Sequence, residues 1–219
     1  METSAAGLIK KLTTQLSQAI AAMVQVLQSM IMALNIGKAT DNFFPALPLV
    51  VSNNYLMSIV ASLVVGIDGA TTRDCRSAGV SSLADRKVFL QRRREFDCII
   101  IGGNTARHEP YNKTPVPLIV ISRSLVNPVQ GNHLAHFWSC APAEAVAKAR
   151  KLFGENILIE GGINMINELI ENNILDQLEL SVTPATGGEN LIDWKALLGK
   201  FKTFNLRQAD GTQFYSASN

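Results

Sequence analysis

Two apolar runs in this chain end in paired glycines, where a backbone can turn sharply or come very close to another group. The first is Ile99-Ile100-Ile101 before Gly102-Gly103, and the second is Ile157-Leu158-Ile159-Glu160 before Gly161-Gly162. After the second pair, Met165, Ile166, Leu169 and Ile170 recur at helical spacing, so a helix starts at the turn itself. A helix N-terminus carries unpaired N–H groups and partial positive charge, which suit a pyrophosphate. Tight packing of helix on strand explains such glycines equally well without a ligand. The first turn is no dinucleotide fingerprint, because Asn104-Thr105-Ala106 follows, a third glycine is missing and Pro110 limits any helix. Two such turns in one sheet strengthen the anion reading, since ligands of open α/β sheets collect at the carboxyl ends of strands. A third run, "LIVISRS", finishes in Ser122-Arg123. In dinucleotide folds an acid beyond the next strand holds the ribose of NAD, whereas an arginine accommodates the 2′-phosphate of NADP. Ser122 and Arg123 fit the second case, with a merely soluble turn as the alternative.

These residues need a sheet to bring them together, and the pattern supplies one. From residue 56 onward strand-like and helix-like runs alternate: "SIVASLVVGIDG", "ADRKVFLQRRREF", "DCIIIGG", "VPLIVISRS", "PAEAVAKARKLFG", "NILIEGG", "INMINELIENN" and "QLELSVTP". The tail "FKTFNLRQADGTQFYSAS" reads as a hairpin turning at Asp210-Gly211. The expectation is an α/β fold, a mainly parallel sheet covered by helices with an antiparallel edge near the C-terminus.

The first forty residues differ. Leu8, Leu12, Leu16, Ile20, Met23, Val24, Leu27, Met30, Ile31 and Leu34 form one face of a long helix whose other face is Gln, Ser and Thr. The chain divides into a helical arm over 1–40, a connection over 41–55 and a main domain over 56–219. The arm is expected to pack on the body or on a second subunit. A membrane is disfavoured, because an interfacial helix carries more Lys or Arg and an aromatic anchor. Residues 46–66 come closest to a spanning run, but Asn53 and Asn54 interrupt them. A secretory leader is disfavoured by Gln15, Gln18, Gln25 and Gln28.

With 47% hydrophobic and 17% charged residues the 219-residue chain is a well-buried globular protein rather than a disordered one. A net charge of +2 without a long basic stretch gives no electrostatic case for nucleic acid. The densest basic run, Arg92-Arg93-Arg94, reads as a solvated helix end. Three cysteines, Cys75, Cys98 and Cys140, are odd in number and lack a C-x-x-C, which points to a reducing, cytoplasmic compartment. His133 and His136 have no third ligand nearby, so no metal site is expected and a surface turn is preferred.

Four segments, "GIDGATTRDCRSAGVSSLADRKVF", "DCIIIGGNTARHEPY", "PLIVISRSL" and "ILIEGGINMINELIENNILDQLELSVTP", resemble the pyrimidine reductase domain of riboflavin biosynthesis. The resemblance covers roughly residues 56–188 in the family's order, and is nearest in flavour to its stand-alone reductase-like branch. It implies a dihydrofolate-reductase-like fold, a homodimer and NADPH-dependent hydride transfer to a small-molecule substrate. In the bifunctional enzyme the ribosyl side chain of an aminouracil phosphate is reduced to ribityl. Carried over by position, the cofactor residues are Gly102, Gly103, Thr105, Glu109, Ser122, Arg123, Glu160, Gly161 and Gly162. Asp68 is the polar group expected in the pocket, and Ser77, Asp85 and Arg107 are expected on the substrate side. Asp85 could equally cap a helix, since an amphipathic run follows it. Ala70 stands where the riboflavin enzymes carry a lysine, the L-T-x-R segment after Tyr111 is absent, and so is the zinc deaminase signature. These departures keep two other readings open, a dihydrofolate or pteridine reductase and a nucleotide-binding member without catalysis.

Overall fold

The computed structural model describes residues 58–219 apart from Leu125, so the expected arm and connection lie outside the described residues. Ile59–Gly66 (β1) is the first strand of the main sheet and is buried along almost all of its length, as its run of Ile, Val, Ala and Leu demands. Cys98–Gly102 (β3), Leu118–Ile121 (β4), Ala135–Trp138 (β5), Ile157–Glu160 (β6) and Gln177–Thr183 (β7) lie parallel to it. The hairpin of Thr203–Ala209 (β9) and Thr212–Ser218 (β10) adds the antiparallel edge, giving the order β5-β4-β3-β6-β1-β7-β10-β9. Asp210 and Gly211 both take positive φ at its turn, which Asp-Gly tolerates better than almost any other pair. A second, small ladder pairs Ala70–Thr72 (β2) with Glu189–Leu191 (β8).

Helices cover both faces. Leu83–Arg92 (α1) lies on one side, while Pro142–Leu152 (α3), Ile163–Glu171 (α4) and the short Trp194–Leu198 (α5) border the larger core on the other. The shortest helix near the expected site, Gly103–His108 (α2), stops just before Pro110, as the sequence requires. Ile99, Ile100 and Ile101 are fully buried, and their side chains alternate between the two cores. Each such side chain stabilises the fold by about 1.5–3 kcal/mol relative to exposure.

Two expectations are corrected here. The run Arg92-Arg93-Arg94 is not a solvated helix end. Arg92 pairs with Glu179 at 2.7 Å and Arg93 with Glu160 at 2.6 Å, so only Arg94 remains exposed. His136 lies not in a turn but on the edge strand β5, against Phe153. Cys75, Cys98 and Cys140 are all free. Among the described residues no group of side chains could hold a metal ion, and no helix is long and apolar enough to cross a membrane.

Candidate active site

Because β4, β3, β6 and β1 are adjacent and parallel, their carboxyl ends reach one edge of the sheet in that order. Ser122-Arg123, Gly102-Gly103, Glu160-Gly161-Gly162 and Gly66-Ile67-Asp68 therefore stand side by side. The glycines have different reasons to be glycine. Gly161 and Gly162 take φ of 71° and 76°, a conformation that strains any residue with a Cβ. A Cβ on Gly161 would also sit 3.1 Å from the Thr105 hydroxyl, so the two glycine turns meet through Thr105. Gly103 is packed, since a Cβ there would lie 2.6 Å from the Ser122 hydroxyl. Gly102 has ordinary backbone angles and nothing within 4 Å of where a Cβ would be.

Helix ends around this edge share one property. α2 begins at Gly102, α3 at Ala141 and α4 at Gly162, and none of the three has a side-chain cap. By contrast, α1 is capped by Ser82 and α5 by Asp193. Uncapped first turns leave N–H groups that prefer a negatively charged partner. An open cleft of about 450 Å³ lies beside Ile121, Ser122 and Arg123, and the start of α3 and Glu168 form its other walls.

Asp68 is exposed at the turn after β1. It accepts the Ala70 N–H at 3.1 Å and the Gly187 N–H at 2.6 Å, tying this turn to the loop after β7. These bonds favour the charged carboxylate, and with help from Arg73 they hold its pKa below the ordinary value of 3.8. The Ser77 N–H donates to Glu109 at 2.6 Å, which joins the loop after β2 to the end of α2. Glu109 therefore positions that loop.

Three residues assigned by resemblance have local partners of their own. Glu160 is 1% exposed. Both its oxygens accept from Arg93, at 2.7 and 2.6 Å, and Tyr111 donates to it at 2.8 Å. The Arg93 guanidinium is itself held between the rings of Phe89 and Tyr111. Burial beside Glu160 pushes the Tyr111 hydroxyl well above its ordinary pKa, so it stays a donor. Asp85 is 7% exposed and belongs to the start of α1, where its N–H donates to Ser82 and its carboxylate accepts from Ser81. The cap of this helix is Ser82, so Asp85 is not itself the cap expected as the alternative but a residue of the first turn that Ser82 caps. One guanidinium nitrogen of Arg107 lies 3.4 Å from where a Cβ on Gly103 would be, beside the first glycine turn. The residues the sequence reading missed are Arg93 and Tyr111, whose partner Glu160 is far away along the chain.

A family model described as the RibD C-terminal domain matches residues 57–213. No curated protein sequence matches the chain. Among solved structures it resembles a diaminohydroxyphosphoribosylaminopyrimidine deaminase/5-amino-6-(5-phosphoribosylamino)uracil reductase from Thermotoga maritima, at 13% identity and a TM-score of 0.52, over 74% of this chain and 56% of that one. A pyrimidine reductase-like protein from Corynebacterium diphtheriae matches at 16% identity and a TM-score of 0.52, over 74% of this chain and 91% of that one. RibD of Acinetobacter baumannii matches at 12% identity and a TM-score of 0.54, over 74% of this chain and 57% of that one. The chain thus spans a little over half the length of the first and third of these. At such identities the likeness establishes the fold, which is the dihydrofolate-reductase-like one expected from the sequence. With this fold and a family match that runs over most of its length, the chain belongs to the RibD C-terminal domain family.

Proposed function

We propose that this protein is an NADPH-dependent reductase of the riboflavin type. Its substrate is the ribosylamino side chain of 5-amino-6-(5-phosphoribosylamino)uracil or of a related small heterocycle. The observation that carries the reading is the convergence of three uncapped helix starts, the open space at Gly102 and the Ser122-Arg123 strand end on one sheet edge. That donor set suits a dinucleotide with an extra phosphate. A bound reduced nicotinamide supplies hydride, and the protein supplies placement and exclusion of water. Gly102 lets the cofactor come close, Gly161 and Gly162 shape the turn beside it, and Thr105 joins the two turns. Arg123 and Ser122 read the 2′-phosphate. On the substrate side Ser77 sits in the loop that Glu109 holds. Asp68 is ionised at neutral pH, so it offers a fixed negative charge to a cationic reaction centre, and the proton that accompanies hydride comes from another donor.

A member that binds nucleotide without turnover is the second reading. It is favoured by Ala70, fully buried where the riboflavin enzymes carry a lysine. Fluorescence titration with NADPH, followed by NADPH consumption with the aminouracil phosphate, separates the two. Binding with turnover supports the reductase and binding alone supports the second reading. No binding at millimolar NADPH overturns both.

A further inference from the structure

Glu168 stands in the second turn of α4, half-buried, in the wall of the cleft that Ser122 and Arg123 line from the end of β4. Side chains of a helix lean toward its N-terminus, so this carboxylate is directed back along α4 to the edge where the strands end. Met165, Ile166 and Leu169 anchor the helix in the larger core, so α4 cannot turn Glu168 out of the cleft. Among the described residues the carboxylate has no partner. The ion pairs are Arg92–Glu179, Arg93–Glu160 and Arg150–Glu155, and Asn172 reaches only the backbone carbonyl of Glu168. Arg123 is in none of these pairs either.

The cleft therefore carries one free charge of each sign. Ile121, Ala141 and Pro142 are apolar, and Ser122 and Ser139 are neutral hydroxyls. Burial and nearby Glu144 push the Cys140 thiol up, so it adds no negative charge at neutral pH. Lys148 lies over the Trp138 ring at 4.2 Å and is not in the cleft wall. A phosphomonoester such as a 2′-phosphate carries about 1.5–2 negative charges near neutral pH. A cleft shaped for that group alone has no use for a bare carboxylate beside its arginine, because like charges repel. An adenosine ribose without the phosphate has a free 2′-hydroxyl instead. That hydroxyl donates to a carboxylate, which is how dinucleotide folds that take NAD hold it.

We propose that Glu168 is a specificity-determining residue that opposes Arg123, so that the cleft takes NADH as well as NADPH. With NADH the carboxylate accepts from the hydroxyls of the adenosine ribose. With NADPH, Arg123 and Ser122 hold the phosphate against repulsion from Glu168, which lowers the preference that the arginine alone would give. The inference rests on the cofactor reading proposed for this edge and adds to it the residue that sets the choice.

Fluorescence titration of the full-length protein with each reduced cofactor tests this through dissociation constants alone. The parent should bind both. In Glu168→Gln the ratio of the NADH to the NADPH constant should rise about tenfold, because NADH loses a hydrogen bond to a charged group while NADPH loses a repulsion. Glu168→Lys should raise the ratio further. Glu171→Gln removes the same charge from an exposed position of the same helix and should leave the ratio as in the parent. A merely structural role for Glu168 would weaken both cofactors alike. A ratio unmoved or lowered in both Glu168 variants, an equal rise in Glu171→Gln, or a parent that binds NADPH but not millimolar NADH would each overturn the proposal. Failure of the cofactor reading gives a different result, a parent that binds neither, and that overturns both.

Discussion

Arg92, Arg93 and Arg94 are identical in sequence and have three different fates. Arg92 is half-buried against Glu179, Arg93 is enclosed with Glu160 and two aromatic rings, and Arg94 is in solvent. Removing one partner of an enclosed pair leaves a buried charge unmatched, so Glu160→Ala should cost about 3–5 kcal/mol in denaturant unfolding. The same variant, where folded, should bind NADPH nearly as well as the parent, since both carboxylate oxygens are taken up by Arg93 and Tyr111. Arg123→Ala should do the opposite. Losing a charge-assisted contact to the 2′-phosphate is worth about 1.5–3 kcal/mol, so the ratio of NADH to NADPH dissociation constants should fall roughly ten- to a hundred-fold with little change in stability. At Asp68 the folded pKa lies below the ordinary value. Such a carboxyl adds stability at neutral pH that disappears as the pH falls through the folded value. Asp68→Asn should therefore flatten the acid limb of the stability curve, and an unaltered limb would show that the bonds from Ala70 and Gly187 contribute nothing. Burial and nearby Asp97 push the Cys98 thiol up to about 12, while Cys75 is exposed. Alkylation of the native protein should modify Cys75 first and leave Cys98 intact until unfolding.

At the scale of the element, the two glycine turns separate stability from binding. Gly161→Ala imposes positive φ on a residue with a Cβ and crowds Thr105, so thermal unfolding should show a loss of about 1–2 kcal/mol. Gly102→Val meets only open space, so it should unfold like the parent and yet lose NADPH affinity. An equal loss of stability in both would mean that the first turn, like the second, is shaped by packing. Much of this was legible in the chain. Alternating apolar runs announced β1, β3, β4, β6, β7 and the C-terminal hairpin, and the strand ends stand along one edge as that pattern requires. β5 was missed because "AHFW" is short and half-exposed, and β2 and β8 because a three-residue ladder has no period to read. α5 is a single turn or so and was hidden for the same reason. Of the candidate site, the turns at Gly102 and Gly161 and the strand end at Ser122 can be placed from the sequence because they depend on backbone, whereas the enclosure of Glu160 by Arg93 and Tyr111 depends on partners distant along the chain.

At the scale of the whole molecule, the apolar stripe over residues 8–34 needs cover, and the sequence favours a second subunit for it. Deleting residues 1–35 should weaken self-association in light scattering. A truncated protein equally dimeric, soluble and stable would show the arm to be dispensable. The strand order has another consequence, for how this molecule is made. β1 is the first strand of the main sheet to leave the ribosome, yet it sits between β6 and β7, which are synthesised about a hundred residues or more later. Until residue 157 has emerged this nearly continuous hydrophobic segment waits with both edges bare, and one edge stays bare until β7 follows. β3, β4 and β5 can pair as they emerge, but β1 cannot, and contacts so distant along the chain are the slowest to form. The nascent domain must be sheltered for most of its synthesis and folds only after its last strands are released.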